Sequence, residues 1–204
     1  MLLAIETGTA ACSVALIEGA RIVAARHERI GRGHAERLVP LVEAVLAETG
    51  MRPRAIAVGV GPGSFTGLRV GIAAARGFGL VWNVPVHGFS STALIAASVF
   101  AAQDVARLDV VMDGGRGEVF MQAFDRDLHA AAAVAALSYG SAAAVCRGPL
   151  AGTGAPFLQE AGSLAAILSD APPDARDVRL LPPELRMLAP TPLYVRAPDA
   201  KLPA

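Results

Sequence analysis

Cysteine is scarce in this chain: Cys12 and Cys146 are the only two in 204 residues, far apart and without a CxxC pair. That excludes a disulfide framework and a paired-cysteine redox or zinc site, and it fits a reducing cytoplasm. Net charge is also missing, since 18 Lys and Arg face 18 Asp and Glu. No global field therefore marks the chain as a nucleic-acid or membrane binder, and any RNA role must be local or borrowed from a partner. The N-terminus MLLAIETG has no basic lead, and its apolar run stops at Glu6, so it reads as a strand and not as a secretory signal. Between Gly77 and Gln103 there is no Asp, Glu, Lys or Arg, which raises the question of a membrane span. Asn83, Pro85, His87 and the trio Ser90, Ser91, Thr92 interrupt that run, so it reads as a buried strand followed by a capped helix.

What is abundant is core material, with 53% of residues hydrophobic. Three strands are expected over 2–7, 12–18 and 21–28, broken by turn material at Gly8 and Gly19: an antiparallel meander. In HAERLVPLVEAVLAETG, Leu38, Leu41, Val42, Val45 and Leu46 recur at helical spacing and Gly50 offers a stop. Pro40 is expected to bend or delay that helix. AIAVGV (55–60) reads as a strand covered on both faces, followed by a helix over GLRVGIAAARGFGLVW, a short strand at VPVHGF and a second helix at SSTALIAASVFAA. From Arg107 the pattern restarts with LDVVMDGG and EVFMQAFD, giving a second, smaller α/β lobe. The expected division is 1–103 and 104–204, with the proline-rich C-terminal stretch wrapping over the surface.

The stretch GVGPGSFTGLRVG (59–71) carries five glycines between a strand and a helix. A phosphate loop of the GxxxxGK type fails, because Gly61 and Gly67 are one residue too far apart and Leu68 and Arg69 follow. A dinucleotide fingerprint lacks the acidic residue about twenty positions on, there being none between Glu48 and Asp104. A nucleophile elbow fails too, since Ser64 has Pro62 and Thr66 two places either side. Packing remains: Gly67, Gly71, Ala75 and Gly79 recur every fourth residue, a ridge of small residues on one helix face. Helix-interior glycines cost about 1 kcal/mol each against alanine, so a close neighbour must compensate, in this chain or in a partner. Arg69 and Arg76 give the helix a polar edge suited to an interface, and its start at Ser64–Gly67 offers free N–H groups to an anion.

A second candidate is AIETGTAACSVAL, a strand, a Thr-Gly-Thr turn and a returning strand, in which Glu6, Thr7, Thr9 and Ser13 are the polar groups. Such hairpins wrap phosphates in the actin, hexokinase and Hsp70 superfamily, and ordinary hairpins share the same residues. His27, His34, His87 and His129 show no HxxxH or HxxH spacing, so no metal site is expected. His34 is placed at a helix start as a packing or capping residue, and Asp113, Arg116 and Glu118 in DGGRGEVF read as a solvated turn.

In order along the chain, AIETGTAACSVALIEG, GHAERLVPLVEAVL, IAVGVGPGSFTGLRVGIAAARG, DGGRGEVF and PLYVR resemble the TsaB (YeaZ) family over most of residues 1–125 and again near the C-terminus. The resemblance implies an actin/hexokinase/Hsp70-like (ASKHA) α/β fold, two lobes with mixed sheets and a degenerate cleft. It implies a noncatalytic dimerisation subunit for forming N6-threonylcarbamoyladenosine at adenosine 37 of tRNAs that read codons beginning with adenine. The catalytic paralogue TsaD would be its partner, the ATPase TsaE would join them, and tRNA would be reached through the complex. A homodimer would compete through the same helices. The family's shared surface maps onto His34, Glu36, Leu38, Pro40 and Leu41 of the first helix and onto Gly63, Ser64, Phe65, Thr66, Gly67, Leu68, Arg69, Gly71, Ala75 and Gly79. Glu6, Thr7, Gly8 and Thr9 would be a remnant of the phosphate hairpin, where the family usually has Asp-Thr-Ser. No nucleotide is expected to bind tightly, with ATP or ADP only at an interface shared with a partner. The paralogue's HxxxH ligands are missing from VHGFSSTALIA, where only His87 stands. The alternatives are an active phosphotransferase of the same fold and a peptidase of the older glycoprotease label.

Overall fold

The structure, a computed structural model, describes residues 1–196. Near-continuous apolar runs give β1 (Leu2–Glu6) and β2 (Ala11–Glu18), and with the more polar β3 (Arg21–Arg29) they form the expected antiparallel meander. After α1 (His34–Thr49), β4 (Ala55–Gly61) pairs in parallel with β1. After α2 (Phe65–Trp82), β5 (Val86–Ser90) pairs in parallel with β4. The first sheet thus has the order β3-β2-β1-β4-β5. Its inner strands β1, β2 and β4 are buried on both faces, which is why β4 is apolar throughout, whereas the edge strand β3 is partly exposed.

The same winding then repeats. Beyond α3 (Ser91–Ala102), β6 (Arg107–Gly115), β7 (Glu118–Asp125) and β8 (Ala135–Ser138) form a second meander. Following α4 (Tyr139–Val145) comes β9 (Leu150–Ala151), and following α5 (Ala155–Glu160) comes β10 (Ile167–Ser169), both added in parallel. Read from β8, the order is β8-β7-β6-β9-β10, the first sheet's pattern over again.

Side-chain parity divides the interior into three cores. Leu3, Ile5, Val14, Leu16, Ile56 and Val58 meet α1 and α2. Ala4, Ala15, Ala57 and Phe89 from the first sheet and Leu108, Val110, Met112 and Phe120 from the second meet around α3. Val111, Val119, Met121 and Leu150 meet α4 and α5. The uncharged run around α3 is therefore explained by burial between two sheets: Ala93 to Ala97, Val99 and Phe100 are all buried, and Ser90 caps Ala93 N–H. No helix among the described residues is long and apolar enough to cross a membrane.

Two expectations are corrected. Pro40 does not delay α1, which already begins at His34; its ring is exposed and the carbonyl left unpaired is that of exposed Glu36. The small-residue ridge of α2 also faces inward. Gly67, Gly71, Ala75 and Gly79 are buried within this chain. A Cβ on Gly67 would overlap the carbonyl oxygen of Thr7, one on Gly71 the Thr7 hydroxyl, and one on Gly79 the side chain of Val86. The compensating neighbour is thus the β1–β2 turn and β5 of the same chain, and a bulky residue in the ridge would act on folding before it acted on any partner.

The contrast with Gly77, which is exposed on the same helix with open space where its Cβ would lie, yields a prediction. Gly77→Ala should stabilise the chain by about 0.5–1 kcal/mol through helix propensity. Gly67→Ala should destabilise it by about 2 kcal/mol, because overpacking against a backbone carbonyl outweighs the same propensity gain. Urea midpoints of the two variants read both signs.

Candidate functional site

The β1–β2 turn closes on itself. Gly8 N–H donates to Glu6 Oε1 at 2.6 Å, Ser91 Oγ at the start of α3 donates to Glu6 Oε2 at 2.9 Å, and the carboxylate is fully buried. Thr7 Oγ1 donates to Gly67 O at 2.9 Å, and Ser64 N–H donates to Gly8 O at 2.7 Å, so the turn is joined to the first residues of α2. Ser64 caps α2 by accepting from Gly67 N–H. The glutamate fits because two glycines face it: a Cβ on Gly8 would lie 2.9 Å from Glu6 Oε1, and one on Gly59 would overlap the carboxylate. Bare backbone at positions 8 and 59 therefore leaves the Glu6 side chain its space. Of this hairpin only Thr9 and Ala10 remain open to solvent, and both line the interlobe cleft.

Ser13 points the other way. Its hydroxyl donates to Asp174 Oδ1 at 3.2 Å and accepts from Ala175 N–H at 3.0 Å, fastening the 3-10 segment Ala175–Leu180 to β2. His27 Nδ1 stands 3.1 Å from the other carboxylate oxygen. Burial pushes the Asp174 carboxyl up, but the Arg176 hydrogen bonds and nearby His27 outweigh it and hold it below the ordinary carboxylate value. Serine, aspartate and histidine do meet, which spacing did not show, yet in an order that cannot activate a nucleophile: the buried hydroxyl spends its proton on the carboxylate, not the imidazole.

A cleft of about 730 Å³ lies between the lobes. Thr9, Arg29, Ser64 and Phe65 line it from the first lobe, Asp113, Phe120, Thr153 and Phe157 from the second, and residues 193–196 along one edge. The β6–β7 turn is more than a solvated tip. Gly115, Arg116 and Gly117 adopt positive φ to close it, Asp113 Oδ1 accepts from Gly115 N–H, and Glu118 pairs with Arg196 at 2.5 Å.

The residues mapped to a partner surface separate into two groups. His34, Leu38, Leu41, Gly67, Leu68, Gly71, Ala75 and Gly79 are buried in this chain, and Gly63 is half-buried with its α-carbon against the Gly8 backbone. His34 Nε2 lies 2.9 Å from Thr9 O, an approach to a carbonyl that requires the proton on Nε2, so the ring packs the helix start onto the turn. Glu36, Pro40, Ser64, Phe65, Thr66 and Arg69 are exposed. Sequence reasoning missed their exposed apolar neighbours Val39, Leu80 and Val81, the last two 84% and 79% accessible. The available signal was large apolar residues off the buried stripe. Asp125, Asp127 and His129, whose ligand-type atoms lie within 4.8 Å of one another, form an exposed turn in which Asp125 Oδ1 accepts from the Asp127 and His129 N–H groups.

Burial raises the Glu6 carboxyl against the lowering effect of the Gly8 and Ser91 hydrogen bonds, leaving it at about 7 instead of 4.5. The folded state then holds this proton more tightly than the unfolded chain does. The contribution to stability is fully present below pH 4.5 and is lost as pH rises through 7, by about 3 kcal/mol in all. Glu6→Gln is expected to remove that loss, so urea titrations of both proteins at pH 5 and pH 8 should show the parent's midpoint falling more steeply.

The family model described as "TsaD: tRNA N6-adenosine threonylcarbamoyltransferase" matches residues 23–149. The chain is 37% identical over 129 residues to the tRNA threonylcarbamoyladenosine biosynthesis protein TsaB of Escherichia coli, a match covering 62% of this chain and 55% of that protein. It thus spans about half the length of that relative. An uncharacterized protein of Mycobacterium tuberculosis is 34% identical over 98% of this chain and 93% of its own length. A Pseudomonas aeruginosa structure described as similar to peptidase YeaZ superposes with a TM-score of 0.80 at 30% identity, covering 96% of this chain and 99% of that one. YeaZ of the same organism gives 0.79 at 29%, covering 95% and 98%. EutJ of Carboxydothermus hydrogenoformans, 12% identical over 87% of this chain and 88% of its own with a TM-score of 0.55, shares the fold alone. With the twice-wound sheets, the ordered motifs and these near full-length matches, the chain belongs to the TsaB/YeaZ family and has its ASKHA-type α/β fold.

Proposed function

We propose that this chain is a noncatalytic scaffold subunit that docks a TsaD-type threonylcarbamoyltransferase, in the formation of N6-threonylcarbamoyladenosine at adenosine 37 of tRNAs reading codons that begin with adenine. The observation that carries this reading is the self-closure of the hairpin. The Gly8 N–H and the Thr7 hydroxyl that would meet a phosphate are spent on Glu6 and Gly67, and the Ser64 N–H at the start of α2 is spent on Gly8. A nucleotide would have to displace a buried carboxylate and several backbone hydrogen bonds, each costly to leave unmade. No nucleotide is therefore held tightly by the chain alone, and ATP or ADP belongs at a surface shared with the partner. The absence of a histidine pair from Val86–Ala96 supports the same reading.

Docking falls to the outer faces of α1 and α2. Val39 and Pro40 on the first, and Phe65, Leu80 and Val81 on the second, expose apolar surface beside Glu36, Arg69 and Arg76, the mixture expected at a protein interface. The inward glycines serve this indirectly, by seating α2 deep against the turn so that its other face stands outward. A TsaE-type ATPase joins the pair, tRNA is reached through the complex, and a second copy of this chain competes for the same face.

Mixing the chain with its TsaD should give a heterodimer by mass measurement. Leu80→Asp with Val81→Asp should weaken it at least about tenfold, near 1.4 kcal/mol, with little change in melting temperature. Unchanged affinity would remove this face from the reading. The chain alone should neither turn over ATP nor modify tRNA, whereas adding TsaD, TsaE and threonylcarbamoyl-adenylate should give transfer. Turnover by the chain alone would favour the phosphotransferase alternative.

A further inference from the structure

The segment from Leu188 to Arg196 makes specific contacts with both lobes and contributes one edge of the cleft. At its start, Leu188 and Gly88 exchange backbone hydrogen bonds of 2.7 and 3.0 Å, placing the segment on the outer strand β5. Leu193 N–H then donates to Val60 O at 2.7 Å. Tyr194 stacks on Phe65 with ring centroids 5.1 Å apart and accepts from Arg69 Nε at 2.8 Å, while the Arg69 guanidinium lies 3.6 Å over the Phe65 ring. Two residues later the segment has changed lobes: Arg196 pairs with Glu118 at 2.5 Å and reaches Gly114 O at 3.4 Å, both on the β6–β7 hairpin.

We propose that residues 188–196 act as a clamp that sets the opening of the interlobe cleft and ties the start of α2 to the β6–β7 turn. Tyr194 is its fastening on the first lobe and Arg196 its fastening on the second. Leu193 and Tyr194 are each about 40% exposed, while Val195 between the fastenings is half-buried against the core around α3, so release lifts one side chain from the edge of that core and leaves its centre packed. Release at either end frees the other, because only Val195 separates the two fastenings. The start of α2 and the β6–β7 turn then lose this tie at the mouth of the cleft, while the shared core around α3 still joins the sheets, and Phe65 and Arg69 lose the ring that holds them in place.

Hydrogen exchange on the full chain tests this, using Glu118→Gln, which alters only the far anchor, and Tyr194→Ala, which removes the near one. The amides read are those of Ser64, Gly67 and Leu68 at the start of α2 and that of Gly115 in the turn, all hydrogen-bonded in the intact chain. Either variant should speed exchange at both places by about threefold to tenfold while β1 and β6 stay protected. Tyr194→Phe, which keeps the stack but loses the bond to Arg69, should fall between. Acceleration confined to the altered end, at neither end, or equally in β1 and β6 overturns the clamp.

Discussion

The approach of α2 to the β1–β2 turn, close enough that Gly67 has no room for a Cβ beside Thr7 O, is the constraint on which the rest of the first lobe depends. The contact costs helix propensity at each glycine. It is offset by burial of Leu68, Ile72 and Ala75, by the Thr7 bond to Gly67 and by the Ser64 bond to Gly8. Once α2 is seated there, its opposite face must point outward, and Phe65, Arg69, Arg76, Leu80 and Val81 are the residues that fall on it.

The same contact decides what the hairpin can do. A turn of this shape has backbone N–H groups to offer an anion. Here a buried acid from the same chain takes the Gly8 N–H, and the glycines at positions 8 and 59 leave that acid its space. The Thr7 hydroxyl and the Ser64 N–H are likewise bonded within the chain, to Gly67 O and Gly8 O. A cleft of about 730 Å³ persists between the lobes, shaped by an aromatic and arginine contact from the C-terminal segment as well as by the sheets.

Much of the fold was legible. The meander, the amphipathic α1, the buried β4 and the restart at Arg107 all follow from apolar periodicity and turn residues, because each is a local response to burying one face or two. The repeat of one winding in both sheets was visible only as that restart, since β9 and β10 are too short, at two and three residues, to carry a pattern of their own. Pro40 misled because its cost depends on whether its ring and the freed carbonyl face solvent, which one sequence position does not state.

The candidate site divides along the same line. By itself the sequence determined that GPGSFTGLRVG lacks the GxxxxGK spacing of a phosphate loop, that α2 carries a ridge of small residues, and that Glu6, Thr7 and Gly8 stand in a hairpin. Only the tertiary structure decided that the ridge meets the chain's own backbone, that Glu6 answers Gly59 and Ser91 from fifty-three and eighty-five positions away, and that Tyr194 and Arg196 reach opposite lobes. Spacing reports which residues share a face. What lies against that face is settled by contacts between segments distant in the chain, and those exist only once the sheets have formed.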